Sequence, residues 1–159
     1  MNSTQATREI DAALPALPAV PRPTPEAFRA FQFVKNFNEL SAAAHLNSRS
    51  KGFWDNRDKV VDACIKAGGA TLEQVAMKMI DGQQIALMHS ELSEALEGSR
   101  KNLQDDHLPQ FSMMEAELAD VVIRIMDHAG AFSLRVGEAI IAKMEYNSGR
   151  PPMHGGKLF

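Results

Sequence analysis

Between residues 111 and 129 the apolar side chains Phe111, Met114, Leu118, Val121, Val122, Ile125 and Ala129 recur every three or four positions. Side chains spaced this way share one face of a 3.6-residue helix but would scatter over both faces of a strand. The spacing predicts a helix over 111–130, and a helix with a single apolar stripe has to bury that stripe against another element.

The rest of the chain supplies partners of the same kind. Thr24-Pro25-Glu26 is a helix start: a capping hydroxyl, a proline at the first helical position and an acid in the first turn. Phe33, Val34, Phe37, Leu40 and Ala44 then fall on one face, predicting a first helix to about His45. The polar stretch "NSRSKGFWDNRD" with Gly52 interrupts it. A short helical turn over 59–66 follows, closed by Gly68-Gly69. Thr71 is the expected cap of a long helix to about Ser99, with Gly82 as a candidate kink. "NLQDDHLPQ" reads as a loop with Pro109 as its stop signal. The last helix is expected over about 134–148, burying Gly137, Ile140, Ile141 and Met144 and ended by Pro151-Pro152. No stretch alternates as a strand would, and no long-period repeat is present. With 45% apolar residues in 159, the chain has enough material for one core. The expected fold class is all-α, a four-helix-bundle-like domain over 26–159.

Residues 1–25 differ in composition. Pro15, Pro18, Pro21, Pro23 and Pro25 fix φ and remove backbone donors, so the segment is expected to be an extended tail or an arm that wraps a partner subunit. The net charge of −3 argues against a generic nucleic-acid binder. Cys64 is the single cysteine, which excludes an intrachain disulfide and a cysteine-built zinc site. No run of apolar residues is long enough for a membrane span, and "MNSTQATREID" lacks a signal-peptide core. A cytoplasmic location is the expectation.

Two acidic pairs carry the chemistry. Glu91 and Glu94 lie three residues apart at the edge of the stripe formed by Ile85, Met88, Leu92 and Leu96. Glu117 and Asp120 repeat the arrangement on the next helix, and Arg124 and Asp127 continue that face. The intervening 22 residues suffice for a helix end, a turn and the start of an antiparallel partner. Each pair is open to two readings, a solvated helix face or half of a metal site. If the pairs face each other, two like charges at ~5 Å cost about 3 kcal/mol at an effective dielectric of about 20. Either some carboxylates stay protonated or a cation sits among them. Hard oxygen ligands at this density suit Mg²⁺, with Mn²⁺ as a substitute.

A cationic face follows. Lys143, Asn147 and Arg150 share one side of the last helix, and "MHGGKLF" adds Lys157 and two glycines. Such a set can hold phosphate, or it can simply complement the dipole at a helix C-terminus.

"HSELSEALEGSRK", "DDHLPQF", "ELADVVIRIMD" and "AKMEYNSGRPPMHGGKLF" together resemble the MazG-like nucleoside triphosphate pyrophosphohydrolases, all-α enzymes whose hallmark is E-x-x-E, a spacer and E-x-x-D. The resemblance spans about residues 28–159. It implies that Glu91, Glu94, Glu117 and Asp120 bind Mg²⁺, that a nucleoside triphosphate is cleaved to monophosphate and pyrophosphate, and that Lys143, Asn147 and Arg150 contact phosphates. It also implies that Phe53 and Trp54 in "KGFWD" approach the base, and that the chain forms a homodimer or homotetramer with sites completed by a second copy. Glu94 is the expected acceptor of the proton from the attacking water. A lone tryptophan at a helix end is also an ordinary core residue, so Trp54 carries both expectations. A ferritin-like di-iron bundle needs Glu-x-x-His, which is absent, and a His-Asp dipeptide is likewise missing. The competing class is a nonenzymatic helical interaction or nucleotide-binding module with solvated acidic pairs.

Overall fold

A computed structural model describes residues 24–151 as four helices: α1 (Pro25–Ser50), α2 (Asp55–Lys101), α3 (Met113–Phe132) and α4 (Val136–Ser148). Among the described residues there is no strand, only an isolated bridge between Gln104 and Ser112. The chain is all-α, and none of these helices is long and apolar enough to cross a membrane. The proline-rich expectation for residues 1–25 falls almost entirely outside the described residues.

Helix α1 begins as its sequence dictates, with the Thr24 hydroxyl accepting the Ala27 N–H at 3.2 Å. It runs past the expected end at His45 to Ser50. The polar residues 47–50 are neutral toward helix, and the chain turns only at Gly52, whose φ is +78°. Arg49 pairs with Asp58 across that turn.

Helix α2 is two helical segments joined at Gly68-Gly69. Gly69 adopts φ 61°, ψ −150°, a region that side-chain-bearing residues avoid. The chain reverses there: Arg57 Nη2 donates to Met77 Sδ at 3.2 Å, whereas an unbroken helix would hold them about 30 Å apart. The segments 55–67 and 70–101 therefore form a helical hairpin. Gly82 keeps helical geometry and causes no kink, since the only non-helical dihedrals within α2 are at the glycine pair. The break falls at the glycine pair as expected, and among the described residues the Thr71 hydroxyl accepts no capping hydrogen bond.

Helix α3 opens on a full capping box. Ser112 Oγ accepts the Glu115 N–H at 3.2 Å, and Glu115 Oε2 accepts the Ser112 N–H at 2.8 Å. Phe111, expected inside this helix, precedes its cap. The loop before it is tied by Asp105 Oδ1, which accepts the N–H groups of His107 and Leu108.

Helix α3 lies antiparallel to both neighbours. Along α1, Asp127 meets His45 and Gly130 meets Ser41; along α2, Glu91 meets Arg124 and Gly98 meets Met113. At Gly130 an added Cβ would collide with the Ser41 carbonyl oxygen and the His45 Cβ, so glycine sets how closely α1 and α3 approach. Helix α4 packs chiefly on α1, with Gly137 against Phe37.

The buried core consists of Phe37, Trp54, Val61, Ala76, Ile80, Ala95 and Ala129. The α3 stripe is less enclosed than its pattern implies. Ala129 is buried, but Phe111, Met114, Leu118 and Val122 remain exposed. On α4, Gly137 is buried as expected while Met144 is 64% exposed, because α4 has one neighbouring helix rather than two.

Candidate functional site

Three of the four acids in the two pairs meet across the α2–α3 seam. Near its end the seam is tight: a Cβ at Gly98 would lie 2.8 Å from the Met113 Cβ. That approach brings Glu91, two turns earlier on α2, toward Glu117 and Asp120 on α3. One oxygen from each of these three carboxylates lies within 4.8 Å of the others. Glu91 is buried at 7% exposure, Glu117 is half-buried and Asp120 is exposed. Three hard oxygen donors on two rigid helices fit a divalent cation that keeps open positions for water and substrate.

Electrostatics reflect the crowding. The Glu117 carboxyl is held above the ordinary carboxylate range, first by burial and then by the charges of Glu94, Glu91 and Asp120. The Asp120 carboxyl, on a residue exposed overall, is also raised, first by partial desolvation and then by Glu91, with Arg124 pulling the other way and Asp105 adding to the rise. Arg124 reaches the cluster directly: its Nε and Nη2 both lie 2.5 Å from Glu91 Oε1.

Glu94, the fourth expected ligand, is not among the three converging acids. It sits exposed one turn on, where its Oε1 accepts the Ser90 hydroxyl at 3.4 Å and its charge acts on Glu117. Glu97, next in the same spacing, pairs with Lys101 at 2.5 Å and faces solvent.

A cavity of about 430 Å³ adjoins the cluster, walled by Asn47, Phe53, Trp54, Gln84, Asp120 and Arg124. Phe53 stands at 76% exposure. Trp54 is 2% exposed, and its indole N–H is shared between the Asp127 oxygens at 3.0 and 3.1 Å. The His45 ring meets it edge-on at 5.1 Å, Phe132 packs at 5.9 Å, and the Arg57 guanidinium lies 5.5 Å from its centre. Of the two expectations for Trp54, core packing is the arrangement observed. Asp127 also bonds His45 Nδ1 at 2.8 Å, tying α1, the turn before α2 and α3 to one carboxylate. The sequence placed Asp127 on the acidic face of α3, but it held no signal for His45.

Lys143 and Asn147 lie on the exposed C-terminal part of α4, while Arg150 lies past its end at Ser148 and not on the helix as expected; Lys143 and Arg150 approach the Tyr146 ring at 5.0 and 5.8 Å. Among the described residues, no hydrogen bond or ion pair joins these three to the acids. Lys157 lies outside the described residues. No protein-family model, curated protein or solved structure matches the chain.

Proposed function

We propose that the protein is a Mg²⁺-dependent pyrophosphohydrolase that cleaves a nucleoside triphosphate, a deoxynucleotide by preference, to the monophosphate and pyrophosphate. The observation that carries this reading is the convergence of Glu91, Glu117 and Asp120 from two antiparallel helices to within 4.8 Å. A bound Mg²⁺ would neutralise phosphate charge and lower the pKa of a coordinated water. Glu91, Glu117 and Asp120 would hold the ion. Glu94, exposed beside them, accepts the proton of the attacking water. The cavity lined by Phe53, Asp120 and Arg124 takes the nucleoside, with Phe53 free to pack on a base. Lys143, Asn147, Arg150 and Lys157 supply phosphate contacts, reaching a site of the same or a second copy. A homodimer or homotetramer also accounts for the apolar side chains left exposed along α1, α3 and α4, such as Phe31, Val122 and Met144.

A panel of dNTPs and NTPs with Mg²⁺, resolving phosphate from pyrophosphate, tests the proposal. Pyrophosphate and monophosphate in equal amounts are expected. Release of single phosphate, or no turnover of any nucleotide, would overturn it. The same exposed apolar faces favour a second reading, a nonenzymatic helical interaction module; in that case Mg²⁺, with or without nucleotide, would leave the melting temperature unchanged.

A further inference from the structure

Arg124 is a side chain between two sites. Its Nε donates to one oxygen of Glu91 and its Nη2 pairs with the same oxygen, and the residue, like Asp120, lines the adjoining cavity. The Glu91 side chain is 9% exposed and that of Arg124 38% exposed, so the anion is fixed while the cation stands at the edge of solvent. Among the described residues, Arg124 is the one cation paired with the three converging carboxylates. It does there what a bound cation would do: it offsets the repulsion of the cluster and satisfies the buried Glu91 oxygen. A divalent ion held by Glu91, Glu117 and Asp120 would stand within a few ångströms of this guanidinium, so the two cations repel each other and compete for the one Glu91 carboxylate.

We infer that Arg124 is an exchangeable occupant of the acidic cluster, held by Glu91 in the ion-free protein and released into the adjoining cavity when a divalent cation takes Glu91. Once there, its planar fork meets an oxygen of a phosphate-bearing ligand, a geometry that suits bidentate contact. The arginine has several rotatable bonds and a partly exposed head, so the movement needs no backbone change. Ion and anionic substrate then bind with positive coupling, since each favours the released arginine. The inference rests on the divalent site proposed above and adds the residue that links ion binding to substrate binding.

The test is Mg²⁺ titration by calorimetry, without nucleotide, of the wild-type chain and Arg124→Gln. Removing the competitor should tighten the Mg²⁺ dissociation constant by about threefold to tenfold, and it should lower the melting temperature of the ion-free protein but not of the Mg²⁺-saturated one. Binding to the variant alone would also support the exchange. An unchanged or weakened Mg²⁺ affinity in the variant overturns it. Arginine side-chain NMR of the wild type, with the resonance assigned by its loss in Arg124→Lys, covers the case in which Arg124→Gln fails to fold. The Arg124 Nε–H should be protected in the ion-free state and lose protection as Mg²⁺ is added; a signal unmoved at saturation overturns the inference. If neither protein binds Mg²⁺, the divalent site falls with it. If the affinity shift appears but no nucleoside triphosphate is hydrolysed, only the proposed reaction fails.

Discussion

Asp127 on α3 accepts two hydrogen bonds from side chains that come from different elements: Trp54 Nε1 at 3.0 Å and His45 Nδ1 at 2.8 Å. One carboxylate thereby joins the C-terminal part of α1, the turn into α2 and the C-terminal part of α3 at the cavity wall. Replacing it with alanine leaves the indole N–H buried without an acceptor. We expect Asp127→Ala to destabilise the fold by about 1–3 kcal/mol. Urea unfolding followed through Trp54, the single tryptophan, measures this directly. In a double-mutant cycle with Trp54→Phe, the two losses should be less than additive.

Gly130 and Gly82 are both helical glycines, yet they should respond oppositely to alanine. At Gly130 the new methyl group collides with the backbone of α1, and a loss of about 1–3 kcal/mol is expected. At Gly82 nothing lies within 4 Å, and the change should add about 0.5–1 kcal/mol. Thermal melts of the two variants decide it.

Glu94 should behave differently from the three acids that converge. Glu91→Gln, Glu117→Gln or Asp120→Asn is expected to remove the Mg²⁺-dependent rise in melting temperature together with turnover. Glu94→Gln should keep most of that rise while kcat falls by at least about 10²-fold. Equal loss of ion binding in all four would make Glu94 a ligand instead of a proton acceptor.

The pH dependence of the ion-free protein follows from Glu117 and Asp120, whose carboxyls are held above the ordinary range by burial and neighbouring acids. The folded state holds these protons more tightly than the unfolded one. The contribution of the two groups is therefore full below the unfolded carboxylate range and is lost as pH rises through their raised values. Relative to a Glu117→Gln, Asp120→Asn double variant, the wild type should gain in melting temperature as pH falls from neutrality through the raised values toward the ordinary carboxylate range. Saturating Mg²⁺ should erase the gain, because it favours the ionised carboxylates.

Ser112 tests how much of α3 is fixed locally. Ser112→Ala removes one half of the capping box and should cost about 1 kcal/mol by urea unfolding, with the Mg²⁺ response retained.

Helical periodicity, caps and glycine punctuation were legible in the sequence because they act over one or two turns. The cap at Thr24, the break at Gly68-Gly69 and the four-helix, all-α class follow from such local rules, as does the sharing of a face within each acidic pair. What lay beyond them depended on how far apart the helix axes run. The absence of a side chain at Gly98 and Gly130 lets α3 approach α2 and α1, and across the α2 seam Glu91, Glu117 and Asp120 come within 4.8 Å of one another. The same spacing buries Trp54 against Asp127 and His45 and hands Glu91 to Arg124. Periodicity determined which residues share a face; only the packing of one helix on another decided which faces meet, because contact between residues far apart in the chain depends on side-chain volume at the seam and not on local propensity.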